Sequence, residues 1–125
     1  GYGSVEEIDE HNVLQATLLA MTRALANLKS LPQRALIDGN CVPIGLPCIS
    51  RNIIGGDTKV ASIAAASIIA KVTRDSLMER LERKYPGYFI FKNKGYGTKE
   101  HFSSLKANGI SNLHRKSFLT KLNLI

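Results

Sequence analysis

Leu14, Leu18, Met21, Leu25 and Leu28 recur at spacings of 4, 3, 4 and 3, which lays them along one stripe of an amphipathic helix over residues 5–29. Ser4 and Glu7 have the spacing of a capping box, the acidic Glu6, Glu7, Asp9 and Glu10 suit the positive end of a helix, and Pro32 lies just past its far end. Ala35-Leu36-Ile37 running into Asp38-Gly39-Asn40 predicts a short buried strand with a carboxylate at its tip. After a loop punctuated by Pro43, Gly45 and Pro47, residues 48–54 predict a second strand. Gly55-Gly56-Asp57-Thr58 breaks the chain. Residues 59–84 then predict a long helix whose small, apolar first half is expected to be packed on all sides, and Pro86-Gly87 ends it. Phe89 to Phe91 is a short apolar stretch, and Lys92-Asn93-Lys94-Gly95-Tyr96-Gly97 reads as a basic loop. Thr98 is expected to cap a helix reaching about Ala107, and residues 117–124 predict a last helical segment. Strands mixed with helices, without repeats or long linkers, predict a single α/β domain over residues 1–125.

With 125 residues, 44% of them hydrophobic, the chain has material for one core and little for a second. The longest mostly apolar run, Val60 to Val72, is 13 residues with two serines and a lysine, too short and polar to span a bilayer. No leader pattern is visible in the first residues, so a cytoplasmic location without a membrane partner is expected. No Met opens the chain, which predicts a trimmed product or a fragment of a longer reading frame. Cys41 and Cys48 lack a second pair or a nearby histidine to complete a zinc site and read as reduced loop thiols. Charge adds more. Residues 1–70 hold five Lys/Arg against six Asp/Glu, whereas residues 71–125 hold twelve against four, so the whole basicity of the chain lies in its second half. A polyanion bound there releases counterions, which makes nucleic acid the first partner to consider against a merely solvated basic face.

Within that frame Asp38 and Asp57, one at a strand end and one before a helix, are placed to converge at a sheet edge, as carboxylates that hold hard divalent cations do. Turns and caps use aspartate at the same positions. Tyr96 stands between two glycines near Lys92, Lys94 and Lys99, joining a stackable ring to phosphate-neutralising charge; packing against its own domain is the competing reading. Lys71 and Arg74 are spaced either to pair with Asp75 and Glu79 or to reach a phosphate. His101 and His114 read as structural or incidental, and His11 as exposed.

Six stretches in order resemble the ribonuclease HII family. They are Glu7-Ile8-Asp9 with Asn12 and Ala20-Met21, Leu36 to Asn40, Gly56 to Val60, Ile63 to Asp75, Lys94 to Thr98, and His114 to Phe118, covering nearly the whole chain. The resemblance implies a ribonuclease H-like α/β fold, a mixed sheet with helices, and a site of four carboxylates around two Mg²⁺ or Mn²⁺ ions, of which Asp38 and Asp57 match the third and fourth. It implies an endonuclease acting on RNA/DNA hybrids and on duplex DNA containing a ribonucleotide, with water attacking in line to leave a 5′-phosphate and a 3′-hydroxyl. Tyr96 matches the family's sugar-packing tyrosine, and Lys71, Arg74 and Lys94 match basic positions near substrate. The family's opening strand, with an Asp-Glu pair and a Gly-Arg-Gly loop, has no counterpart in these residues. The expectation is therefore half of a site that needs a complementing N-terminal segment, or a non-catalytic binding remnant. Exposed sheet edges and apolar faces, with marginal stability or self-association, go with it.

Overall fold

In the computed structural model, which describes residues 1–121, the chain is mixed α/β and gathers into two compact units, residues 1–63 with 112–121 and residues 64–111. The first unit holds helix α1 (Val5–Ala26), strands β1 (Arg34–Asp38) and β2 (Ile49–Ile53), the short helix α2 (Gly56–Lys59), the first turn of helix α3 (Ala61–Lys84) and helix α6 (Lys116–Lys121). The second holds the rest of α3 with α4 (Ile90–Asn93) and α5 (Lys99–Asn108). The expected last helix begins one residue early, and residues 122–125, where its predicted end falls, lie outside the described residues.

β1 and β2 pair in parallel, Arg34 opposite Ile49 through Asp38 opposite Ile53. Burial alternates along β1: Ala35 and Ile37 face the core while Leu36 is 42% exposed, so the strand expected to be buried throughout is covered on one face. Five residues of strand are about 17 Å long, a distance that the loop over residues 39–48 can retrace without a crossover helix.

The capping box at α1 is present: Ser4 N–H donates to Glu7 and Glu7 N–H donates to Ser4 Oγ at 3.2 Å. The helix expected to run unbroken over 5–29 stops at Ala26 and is broken at Asn12, which takes φ 73°. Asn12 Oδ1 accepts from the N–H groups of Leu14 and Gln15, so it caps the longer second segment, a role that asparagine fills by tolerating the left-handed region. The leucine stripe is half covered, with Leu14 and Leu28 exposed, and the residue fully buried on α1 is Ala16. The reason is small-residue packing: a Cβ at Gly3 would stand 3.3 Å from that of Ala16, and Arg23 donates to the carbonyl of Tyr2, drawing the first residues back along the helix.

The long helix differs more. Gly56–Lys59 forms its own turn, Val60 is extended (φ −132°, ψ 116°), and α3 starts only at Ala61. Its apolar first half is not packed on all sides: Ile63 is buried, but Ile68, Ile69 and Val72 are 62, 68 and 58% exposed. An all-round apolar run indicates that a helix seeks cover, and not whether the cover lies within these residues. In the second unit Met78, Tyr88, Ile90 and Leu105 are buried. Thr98 caps α5 as expected, its Oγ1 accepting from His101 N–H at 3.2 Å. Phe89 to Phe91 enters the turn of α4, with Phe89 and Lys94 left-handed at its two ends.

Candidate active site

Asp38 is the last residue of β1, and the tip of that strand is tied down from the neighbouring one. Gly39 N–H donates to Ile53 O at 3.0 Å, and Asn52 Nδ2 donates to Gly39 O at 3.3 Å. The Asp38 carboxylate turns toward the loop after β2, where Oδ1 accepts the N–H of Gly56 at 2.8 Å. Asp57 follows directly in the first turn of α2, so the backbone places both candidate aspartates at the same edge. Gly56 makes this approach feasible: a Cβ there would lie 2.6 Å from Ile63 Cδ1 and 3.3 Å from Asp38 Oδ1. Thr58 Oγ1 donates to Gly55 O at 2.9 Å and Lys59 Nζ to Ile54 O at 2.6 Å, which fastens the turn from its other side.

Both aspartates are exposed and both offer hard oxygen donors. A carboxylate has about four lone-pair sites, so one hydrogen bond from Gly56 leaves capacity for a cation. The donor set suits Mg²⁺ or Mn²⁺ rather than a thiophilic metal. Among the described residues no group of three or more His, Cys, Asp and Glu side chains that could hold a metal ion gathers. Cys41 and Cys48 are free, half-buried thiols.

The other candidates lie in the second unit, where Lys71 and Lys94 meet at Asp75 and Arg74 reaches the backbone of Lys94. Lys71 Nζ is 3.2 Å from Asp75 Oδ2 and Lys94 Nζ is 3.5 Å from Oδ1. Hydrogen bonding and charge from Lys71, reinforced by Lys94, hold the Asp75 carboxyl below its ordinary range. Arg74 does not pair with Asp75 or Glu79; its guanidinium donates to Lys94 O at 3.1 Å, while Glu79 takes Arg83 at 2.6 Å. Lys94 Nζ also stands 3.5 Å from the centre of the Phe91 ring, and Lys92 pairs with Glu100 at 2.8 Å. Lys71, Lys92 and Lys94 thus carry ion-pair partners within the chain and Arg74 a backbone carbonyl, whereas Tyr96 is 74% exposed.

Two features escaped the sequence reading. Asn93 is buried beneath the loop and binds Tyr88, His101 and Gly95, a role that Asn-x-Gly spacing hints at through its turn chemistry. In the first unit Asp9, read as favouring a helix start and as part of the Glu7-Ile8-Asp9 stretch, accepts from Lys116 N–H, Ser117 N–H and Ser117 Oγ, and so caps α6. No local pattern signals a cap delivered across more than a hundred residues. His101 and His114 are buried, and His11 is exposed, as expected.

A family profile for ribonuclease HII matches residues 1–121. Curated proteins named Ribonuclease HII are similar over the chain: that of Prochlorococcus marinus strain MIT 9515 is 64% identical, covering 100% of this chain and 60% of its own length. That of Prochlorococcus marinus subsp. pastoris is 65% identical with the same coverage. A more distant relative from Parvibaculum lavamentivorans is 57% identical over 94% of this chain and 44% of its own. The chain spans 60% of the length of the first two of these relatives. With the profile running across every described element, the chain belongs to the ribonuclease HII family.

Proposed function

We propose that the chain is the part of a ribonuclease HII that carries two metal-binding aspartates and the substrate-facing tyrosine. The reaction is endonucleolytic cleavage of the RNA strand of RNA/DNA hybrids and at ribonucleotides embedded in DNA, leaving a 5′-phosphate and a 3′-hydroxyl. The observation that carries this reading is the 2.8 Å hydrogen bond from Gly56 N–H to Asp38, which brings Asp38 to the residue next to Asp57. Similarity to proteins named Ribonuclease HII supports the substrate class.

Asp38 and Asp57 hold Mg²⁺ or Mn²⁺ together with two further carboxylates, and the metals supply activation of the attacking water and charge stabilisation at the leaving oxygen. Tyr96 packs on the sugar at the cleavage site. Lys71, which is 74% exposed, exchanges its surface pairing with Asp75 for a substrate phosphate; exposed ion pairs are worth about 0.2–1 kcal/mol, so the exchange is easy. Lys94 and Arg74 support the loop that carries the tyrosine. The whole chain forms part of one catalytic domain, acting in the cytoplasm.

A second reading, non-catalytic binding of hybrids, is favoured by the absence of a third metal-binding group beside the pair among the described residues. Cleavage of a labelled duplex containing one ribonucleotide separates the two. The chain is assayed alone and with a segment carrying the family's Asp-Glu pair, against a full-length relative as positive control. Metal-dependent cutting on complementation, abolished by Asp38→Asn, is expected. Binding that is indifferent to EDTA, with no cutting in either mixture, would establish the second reading.

A further inference from the structure

We propose that Asn93 is a positioning residue for substrate recognition: its buried side chain fixes the backbone that presents Tyr96, with His101 as the support that orients it. The inference deepens the proposed function and rests on it, because it assumes that Tyr96 meets the nucleic acid.

The loop over residues 94–97 has an uncommon backbone. Lys94 has φ 51° and Gly95 φ 81°, two consecutive residues in the left-handed region, the first of them not glycine. Such a conformation persists only where surrounding contacts over-determine it. Asn93, 4% exposed, provides most of those contacts. Its Oδ1 accepts the N–H of Gly95 at 2.8 Å and its backbone carbonyl accepts the N–H of Tyr96 at 2.8 Å. Its Nδ2 donates to Tyr88 O at 2.8 Å and lies 2.7 Å from Nδ1 of His101, itself 8% exposed.

The Gly95 and Tyr88 contacts decide which way round the amide sits, since one needs its oxygen and the other its nitrogen. Nδ2 then has a second hydrogen for His101, so Nδ1 of that ring is the acceptor and its proton sits on Nε2. His101 is placed in turn by α5, whose cap Thr98 binds the His101 N–H. Tyr96, 74% exposed, thus follows a backbone held by buried polar groups, Asn93 and His101. From α3 the loop is tied by exposed Arg74 at Lys94 O and by the ion pair of Lys94 with Asp75. A flexible perch would make the ring lose conformational freedom on stacking, so a fixed one strengthens binding without adding a contact.

The test is a double-mutant cycle on binding of the intact chain to a duplex DNA with one embedded ribonucleotide, read by fluorescence anisotropy. Tyr96→Ala is expected to weaken binding about tenfold, as loss of a stacking ring does. Asn93→Ala is expected to weaken it by about fivefold in the parent but by less than about twofold in the Tyr96→Ala background, because its effect runs through the ring. Amide exchange of Gly95 should accelerate in Asn93→Ala. His101→Phe, which removes the acceptor and keeps an aromatic ring, should give a smaller loss that likewise vanishes without Tyr96; it carries the test if Asn93→Ala does not fold. Equal losses from His101→Phe in both backgrounds, or from a folded Asn93→Ala, would mean a merely structural role and overturn the proposal. No loss from either would overturn it too. If Tyr96→Ala itself binds normally, the reading of Tyr96 fails and the proposal falls with it, an outcome distinct from the others.

Discussion

The turn-holding bond of Asp38 and its proposed hold on a cation separate experimentally. Its Oδ1 holds the N–H of Gly56, and an asparagine oxygen accepts the same bond, so Asp38→Asn leaves the turn intact while removing the charge a cation needs. The strand-end carboxylate was legible from Asp38-Gly39-Asn40, because turn chemistry after an apolar run is a local signal. The service of Gly56 was not, since it depends on Ile63 arriving from the following helix. Gly56→Ala puts a methyl 2.6 Å from Ile63 Cδ1, and overpacking of this kind costs about 1–3 kcal/mol. The expected result is a lower urea midpoint together with weaker Mn²⁺ binding by calorimetry, whereas Asp38→Asn should lose the metal and keep the midpoint. A Gly56→Ala protein with parental stability would show that the turn yields freely and that glycine is dispensable there.

At the scale of elements, caps were read well where both partners are local and missed where one is remote. Ser4 with Glu7 and Thr98 with His101 lie within a turn, and the spacing predicts them. Glu7 has a further partner that spacing across a broken helix conceals: Arg23 lies 2.5 Å away, and its hydrogen bond, with help from Ser4 N–H, lowers the Glu7 pKa from 4.5 to about 2. A depressed carboxylate stabilises the fold above its unfolded pKa and is lost as pH falls through the folded one. Glu7 therefore contributes in full above pH 4.5 and loses its contribution on the way down to about 2. Asp9 and Asp75 are also lowered, by Ser117 and by Lys71, and act in the same direction. Glu7→Gln should flatten, without abolishing, the fall in thermal midpoint over that acid range; an unchanged slope would mean that the Arg23 contact is not formed in solution. Asp9→Ala removes the cap of α6 and should cost about 1 kcal/mol, visible in chemical denaturation at neutral pH and absent at a pH below the folded pKa of Asp9.

For the whole molecule, the basic second half and the ion pairs of Lys71, Lys92 and Lys94 bear on the same question: which charges are available to a phosphate. Composition located the excess but not its disposition, because pairing depends on which side chains the fold brings to Asp75. Lys71 is 74% exposed at its pair with Asp75, whereas Lys94 is 25% exposed, wedged between Asp75 and the ring of Phe91. Each cation that neutralises a phosphate adds about 0.9 to the slope of log affinity against log salt on duplex DNA. Lys71→Ala is accordingly expected to weaken binding of a ribonucleotide-containing duplex and to reduce that slope by about one. Lys94→Ala should weaken binding while leaving the slope within about 0.3 of the parent value, because its loss disturbs the loop rather than a phosphate contact. Titrations by anisotropy between about 50 and 200 mM salt distinguish the two. Equal reductions in slope would place Lys94 on the phosphate backbone and move it from the scaffold of the loop to its binding surface.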